Sequence, residues 1–289
     1  MHEMRRARPW LGTFVEIRVA GLANADALAA IDAAFAEVAE VHRLMSFHEP
    51  ASDLSRLHRA AASAPVRVDA RTFAVLEAAL CLAAESDGRF DPTIAAQLVA
   101  WDFLPAPASS PSPDAQATWR DIELLDGSLV RFQRPLWLDL GGIAKGYAVD
   151  RALGVLRQRG AVAACVNAGG DLRCFGAQSE RVELRFALAP DVALPVVELA
   201  DAAVATSAVD AASHRVGGRR RGGHLNARTR RTIRAHRAVS VVAPTCLIAD
   251  ALTKVVLADA RVGERLLRRH AASACLHDAK RGWRMLGCT

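Results

Sequence analysis

The stretch Asp139-Leu-Gly-Gly-Ile-Ala-Lys-Gly146 joins a predicted strand to a predicted helix. The strand is the short apolar run Leu136 to Leu140, which carries the carboxylate of Asp139 at its end. Two glycines allow a tight turn and a close approach of the backbone to a ligand. Lys145 stands at the helix start, where free N–H groups favour anions. This pattern indicates a nucleotide-phosphate site, although such a turn is more often structural and its spacing matches neither the P-loop nor the dinucleotide fingerprint.

Apolar periodicity on both sides of this stretch predicts alternating strands and helices. Strands are predicted at 12–20, 136–140, 162–166 and 239–242, and helices at 25–44, 70–86, 144–159 and from 249 to 257. The helical segments carry apolar residues at three- and four-residue steps. Strands and helices interleave without an internal repeat, which predicts an α+β fold.

The chain has 289 residues, of which 52% are hydrophobic. This is enough for one large domain or two closely packed ones, and we interpret residues 1–289 as a single domain. A proline- and serine-rich loop is predicted near 105–114. The net charge is +6, and no acidic residue occurs between Asp210 and Asp250, so a basic loop is predicted near 214–237. Nucleic-acid binding by this loop is not favoured, because it lacks aromatic residues for base stacking.

Neither the N-terminal sequence nor the cysteines identify the compartment of the protein. Arg5 and Arg6 are not followed by the apolar stretch of an export signal, and no apolar run approaches the roughly 20 residues of a membrane-spanning helix. We therefore expect a cytoplasmic protein, or a periplasmic one if the chain is a processed form. The six cysteines form no Cys-x-x-Cys pair, so neither a zinc site nor a disulfide framework is indicated.

A second candidate site lies in Ala249-Asp-Ala-Leu-Thr-Lys254. On a helix, Asp250 shares a face with Thr253 and Lys254. A carboxylate and a hydroxyl one turn apart are ligands that suit Mg²⁺. The alternative is an acid that favours the helix dipole and forms a surface pair with the lysine.

Two further segments carry candidate ligand contacts. Gly88-Arg-Phe-Asp-Pro-Thr93 holds an acid before a proline, which suits either ligand contact or a helix cap by Asp91 with Pro92 at the first helical position. Met45-Ser-Phe-His48 offers a histidine that could stack on a ring, although a lone histidine is more often structural.

Taken together, these segments resemble the FAD:protein FMN transferase family, also called the ApbE family. The resembling blocks share the family's order and spacing. They are 11–17, 45–57, 88–93, 139–150, 166–171, 205–207 and 249–252. The block from Asp139 to Asp150 is close to a family signature.

The resemblance implies an α+β fold related to the T-fold, with FAD in a cleft. It implies that Asp139 and Lys145 contact FAD and that Asp250, with the carbonyl of Gly142, holds Mg²⁺. The other residues implied to line the FAD site are Leu11, His48, Arg89, Phe90, Asp91 and His224. The implied reaction transfers FMN from FAD to a Thr or Ser hydroxyl in a motif of an acceptor protein and releases AMP, with Asp250 and Lys145 as the catalytic residues.

Two departures from the family pattern keep an alternative open. Lys254 stands where the family has a hydroxyl, so either Thr253 completes the metal site or the lysine partly replaces the cation. The family's His-x-x-Asp-Pro-Arg-Thr-Gly motif appears as His224-Leu-Asn-Ala-Arg-Thr-Arg230. The alternative is a non-catalytic FAD-binding protein or an FAD pyrophosphatase, with nearby arginines binding phosphate.

Overall fold

A computed structural model of the chain describes residues 3–177, 179–184, 195–209, 213–233, 237–278 and 282–288. Within these ranges, no helix combines the length and the apolar character needed to cross a membrane.

Several helices begin directly after a side chain that caps them. Ser52, Asp69 and Thr245 each accept a hydrogen bond from a backbone N–H in the first turn of the helix that follows, which satisfies a donor left free at a helix start. The helices are α1 (Asn24–Met45), α2 (Asp53–Ala60), α3 (Ala70–Glu85), α4 (Ala95–Ala100), α5 (Ala144–Gln158), α6 (Cys246–Ala258) and α7 (Ala260–Arg269). The helices predicted at 25–44, 70–86 and 144–159 are confirmed, and α6 begins three residues before the predicted start because Thr245 caps it.

Several strand pairs are hairpins joined by short turns. In chain order they are β1 (Glu3–Trp10), β2 (Thr13–Ala20), β3 (Val66–Arg67), β4 (Ile122–Leu125), β5 (Leu129–Phe132), β6 (Ala163–Ala168), β7 (Asp171–Phe175), β8 (Glu180–Glu183), β9 (Val196–Leu199), β10 (Ala203–Ala208), β11 (Ser213–Val216), β12 (Arg219–Gly222), β13 (Leu225–Asn226), β14 (Arg231–Thr232), β15 (Arg237–Ala243), β16 (Ser273–Asp278) and β17 (Gly282–Leu286).

The main sheet has the strand order β1-β2-β6-β7-β10-β15-β16-β17, and every neighbouring pair in it is antiparallel. Its register is set by tight turns. Between β6 and β7, Ala168 pairs with Asp171 across the two-residue loop Gly169-Gly170. Both glycines have positive φ, as a type I′ hairpin turn requires. This turn places the carboxylate of Asp171 at one end of the sheet.

Helices α1, α5 and α6 cover one face of this sheet, and the main hydrophobic core lies between them. Alternate residues of β2 point into the core, so Val15, Ile17 and Val19 are buried while Glu16 and Arg18 face away. A second, smaller cluster around Cys165, Cys174 and Leu199 covers the opposite face. Antiparallel sheets with helices on one face are α+β, as predicted.

The prediction for the segment before α5 needs correction. The run Leu136 to Leu140 is extended but is not a strand of any sheet. Its backbone is satisfied elsewhere: Leu138 N donates to His58 Nε2 at 2.8 Å, and Asp139 N donates to Pro92 O at 2.8 Å. The apolar run that was predicted to be a strand reflects burial of Leu136, Leu138 and Leu140 in the core. The Pro/Ser-rich segment 105–114 has neither helix nor strand.

The basic segment near 214–237 is not a plain loop. Its described part forms two antiparallel hairpins, β11–β12 and β13–β14. The first turns at Gly217-Gly218, where positive φ values again allow a two-residue turn. Arg234 belongs to the predicted segment but lies outside the described residues.

Stability is expected to depend on pH through His58. Its ring is 3% exposed, and burial lowers its pKa to about 4 from 6.5. The unfolded chain therefore takes up the proton first as pH falls. Its protonation has no effect on the free energy of unfolding above pH 7 and lowers that free energy by about 3 kcal/mol between pH 6.5 and 4. Urea unfolding across this range should show the loss in the native chain and in a His42→Gln control. The His58→Gln variant should lack this decrease in the free energy of unfolding between pH 6.5 and 4. An unchanged decrease in that variant would contradict the assignment.

Candidate functional site

A cavity of about 320 Å³ opens between the N-terminal end of α5, the 89–94 segment and the β13–β14 hairpin. Its walls are largely apolar, with the rings of Phe90 and Phe103 among them. The predicted site residues that line it are Arg89, Phe90, Asp91, Asp139, Gly142 and His224, and Lys254 lines it as well. The structure thus brings together residues that are far apart in sequence, as the resemblance implied.

Next to the cavity, Lys145 forms an ion pair with Asp171. Lys145 extends from the first turn of α5, and Asp171 is the first residue of β7, only 1% exposed. Burial lowers the pKa of Lys145, but the charges of Asp250 and Asp171 outweigh this and raise it above the ordinary lysine value. Lys145 is therefore a fixed positive charge at neutral pH.

A second pair lies on α6. The carboxylate of Asp250 is fully buried, and its Oδ1 contacts the ammonium of Lys254 one turn further along the helix. Its Oδ2 accepts a hydrogen bond from Gly146 N at 3.2 Å. Burial raises the pKa of Asp250, but the charges of Lys145 and Lys254 hold it below its ordinary value. The carboxylate is ionised, and its Oδ2 atom links α6 to α5.

The two pairs form one electrostatic unit, which we call the lysine–carboxylate quartet (Lys145, Asp171, Asp250 and Lys254). The charge of Asp250 contributes to the raised pKa of Asp171, after the larger effect of burial. With all four groups ionised, their charges sum to zero. A buried quartet of this kind is stable only because each carboxylate has a partner within contact distance.

The titratable side chains of Asp139 and His224 also face the cavity. Asp139 Oδ1 accepts from Gly141 N at 2.9 Å, which fixes the glycine turn, and burial raises the pKa of Asp139. Burial, together with the charges of Lys254 and Lys145, lowers the pKa of His224 to about 4. His224 is therefore a neutral imidazole at physiological pH, able to accept a proton.

The altered motif at 224–230 forms the β13–β14 hairpin and is tied to the cavity wall by ion pairs. Arg228 pairs with Asp87. Arg230 donates to Asp91 Oδ2 at 3.3 Å and to Thr93 O at 3.2 Å. These two guanidinium groups are thus engaged with carboxylates, which argues against their predicted use as phosphate ligands. Asp91 also accepts from Thr93 N at 2.8 Å with Pro92 at the first helical position, so it acts as the cap that the sequence offered as an alternative.

Five predicted site residues do not line the cavity, and two of these, Lys145 and Asp250, lie next to it in the lysine–carboxylate quartet. Leu11 lies in the left-handed turn between β1 and β2, with φ of 56°. His48 is exposed and lines a separate pocket near the 105–110 loop. Thr253 is fully buried: its hydroxyl donates to Asp250 O at 2.6 Å and bonds Ser207 Oγ at 2.8 Å. The ligand roles of Leu11 and His48 stay predictions.

Asp171 was missed as a site residue. The signal was present, because an acid directly after Gly169-Gly170 at the start of an otherwise buried strand is unexpected unless it has a charged partner. Its partner, Lys145, lies 26 residues away in sequence, and only the fold brings the two together.

The expected Mg²⁺ ligands can be tested against this arrangement. Asp250 Oδ1 faces an ammonium group, and the Thr253 hydroxyl already has two partners. In the part of the chain that the structure describes, no three His, Cys, Asp or Glu side chains are grouped so that they could hold a metal ion. Mg²⁺ demands several oxygen ligands at short range. The residues as arranged do not fit a divalent cation, so no step of the chemistry is assigned to one.

Fold and site together define an antiparallel α+β domain with a partly apolar cavity whose polar end suits a phosphorylated ligand. The sequence model of the ApbE family matches residues 11–276. The chain belongs to the ApbE family, and the predicted resemblance is confirmed.

Individual relatives agree with this assignment. An FAD:protein FMN transferase of Treponema pallidum is 31% identical over 190 residues, which cover 61% of this chain and 52% of that protein. One of Vibrio cholerae is 30% identical over 181 residues, covering 58% and 54%. The chain thus spans about half the length of these two relatives. The ApbE protein structure of Thermotoga maritima has a TM-score of 0.84 at 24% identity, covering 98% of this chain and 96% of that one, which confirms the fold.

The contact between α5 and α6 should not tolerate a side chain at Gly146. A Cβ there would collide with the carbonyl group of Cys246 and lie 2.8 Å from Leu247 N. We expect Gly146→Ala to destabilise the chain by about 3 kcal/mol, because backbone cannot move aside as a flexible side chain can. Gly154 is the matched control, since it lies on the same helix with nothing within 4 Å of its Cβ position. Gly154→Ala should stabilise by roughly 0.5–1 kcal/mol. Equal effects of the two substitutions in urea unfolding would refute the close contact.

Proposed function

We propose that this protein transfers FMN from FAD to a Thr or Ser hydroxyl of an acceptor protein and releases AMP. The observation that supports the proposal most directly is the lysine–carboxylate quartet at the polar end of an apolar, aromatic-walled cavity, in a chain that belongs to the ApbE family. The relatives named FAD:protein FMN transferase support the same activity.

The cavity suits the two chemical parts of FAD. The apolar walls with Phe90 and Phe103 offer packing for a flat ring system. Lys145, in the first turn of α5, offers positive charge to the pyrophosphate. Asp139 fixes the Gly141–Gly142 turn that lets the backbone approach the ligand closely.

The chemistry is a substitution at the phosphorus of the FMN half. The acceptor hydroxyl oxygen forms a new bond to that phosphorus, and the bond to the bridging oxygen breaks, so that AMP leaves with the bonding electrons. The hydroxyl proton passes to His224, whose neutral imidazole faces the cavity. Lys145 offsets the charge that develops on the leaving phosphate, while Asp171 holds Lys145 in place and Asp250 holds Lys254.

Mg²⁺ dependence, with Asp250, the Gly142 carbonyl and Thr253 as ligands, is the finer prediction that the family resemblance adds. Asp250 is a ligand type that Mg²⁺ prefers, but the contact with Lys254 argues against a metal in this arrangement. The acceptor motif, the acceptor protein and a cytoplasmic or periplasmic location likewise stay predictions.

Hydrolysis is the second candidate, since water in place of the acceptor hydroxyl would yield FMN and AMP. The observation that favours it is the replacement of the family motif at 224–230 by the ion-paired β13–β14 hairpin, which could alter how an acceptor is received.

The proposal is tested by incubating the protein with FAD, MgCl₂ and a peptide that carries the family's Ser/Thr acceptor motif, followed by chromatography and mass spectrometry. We expect AMP and a yellow, fluorescent, covalently modified peptide. Lys145→Ala should lower the rate about 100-fold or more, because it removes a fixed charge at the phosphate, and Asp250→Ala should abolish turnover.

The control is Arg268→Ala, which removes an exposed pair with Glu264 on α7 and should leave the rate unchanged. FMN released free while the peptide stays unmodified would identify a pyrophosphatase. FAD recovered intact under all conditions would identify a non-catalytic binder and overturn the proposal.

A further inference from the structure

Lys254 fills the space between two residues that were expected to hold a metal. A Cβ placed on Gly142 would lie 3.4 Å from Lys254 Cε and 3.7 Å from its Cγ, so the lysine stem lies directly over this glycine. The ammonium contacts Asp250 Oδ1. The side chain thus runs from the Gly142 backbone to the Asp250 carboxylate, across the position of the implied cation.

The same side chain faces the ligand cavity. Lys254 lines the cavity beside Asp139 and His224 and is 21% exposed, whereas its partner Asp250 is 0% exposed. The ammonium is therefore positioned to face both a buried carboxylate and whatever anion enters the cavity.

We propose that the Lys254 ammonium is the resident cation of this site: it takes the place of a divalent metal on Asp250 and neutralises the pyrophosphate of FAD, so that FAD binds without Mg²⁺. The inference rests on the proposed function for the identity of the ligand. It concerns a residue of this chain that departs from the family pattern.

Charge supports the replacement. The quartet of Lys145, Asp171, Asp250 and Lys254 already sums to zero, and a divalent ion added beside it would sit against two ammonium groups. A lysine supplies one mobile point charge to phosphate, which is how lysines act in other phosphate sites.

The geometry of α6 supports it as well. Asp250 and Lys254 are separated by four residues, so their side chains meet on one face of the helix without any backbone adjustment. The remaining hydroxyl, that of Thr253, bonds Asp250 O and Ser207 instead of pointing at the carboxylate. Among the described residues, the positive group in contact with Asp250 Oδ1 is thus the Lys254 ammonium.

The first test measures Mn²⁺ binding by electron paramagnetic resonance, which needs no activity. The native chain should bind Mn²⁺ weakly. Lys254→Thr, which supplies a hydroxyl and opens the space, should bind one Mn²⁺ about 10- to 100-fold more tightly, and the added substitution Asp250→Asn should remove that site. The inference is overturned if the native chain binds one Mn²⁺ as tightly as Lys254→Thr and loses it in Asp250→Asn.

The second test measures FAD affinity by fluorescence titration in EDTA and in MgCl₂. The native chain should bind FAD equally in both. Lys254→Met keeps a stem of similar length without the charge and should bind FAD at least about tenfold more weakly in both. Lys254→Thr should recover binding only with Mg²⁺. Loss of FAD binding by the native chain in EDTA would overturn the inference. Native FAD affinity in the Lys254→Met variant would overturn it as well.

The experiments distinguish a failure of the transferase proposal from a failure of the proposed role of Lys254. If the binding patterns hold but no AMP forms from bound FAD, the transferase proposal fails and Lys254 remains the cation of a flavin-binding site. If FMN is transferred only in the presence of Mg²⁺ and FAD binding follows the metal, the transferase proposal stands and the role of Lys254 is refuted.

Discussion

The contact between α5 and α6 is the constraint on which the rest of the structure depends. The two helices meet at Gly146, where any side chain would strike the backbone of α6. One turn further on, the Asp150 carboxylate accepts from Cys246 N and Leu247 N, both at 2.9 Å, and so caps the start of α6. Arg173 of β7 donates to the same carboxylate at 2.7 Å. These contacts fix two helices and a strand of the main sheet relative to one another.

That docking explains why charged groups can be buried at the site. Gly146 N points at Asp250 because α5 lies so close, and the same proximity lets Lys145 act on Asp250 electrostatically. A buried carboxylate without such partners would take up a proton, since desolvation disfavours the charged form. Here the lysines reverse the effect of burial on Asp250, so the fold itself maintains the ionised state that the proposed chemistry uses.

Much of this could be predicted from the sequence, and the failures have physical causes. Helices α1, α3 and α5 were predicted nearly to the residue because their apolar spacing is regular over many turns. The run from Leu136 to Leu140 was mistaken for a strand because a short apolar sequence shows only that its side chains are buried. It does not show whether the backbone N–H groups bond a neighbouring strand or, as for Leu138, a histidine ring.

The site was predicted in part for a related reason. Residues inside one motif, such as Asp139 and Lys145, stand out in a single stretch of sequence. Pairs that form across the fold do not: Asp171 with Lys145 and Arg230 with Asp91 come from segments that no local pattern connects. The basic hairpins were missed because glycine turns among arginines do not reveal which strand will pair with which.

Position 254 is a site where the side chain can change without disturbing the packing of the helices and strands. Gly146 cannot change without moving α6, and Asp250 holds α5 through its Oδ2 atom. Thr253 is bound to Ser207 of β10. Lys254, in contrast, points into the cavity, and its contacts are with Asp250 Oδ1 and the surface of Gly142, neither of which holds two secondary-structure elements together. The proposed replacement of a metal by an ammonium group at this one position would therefore leave the docking of α5 against α6 intact.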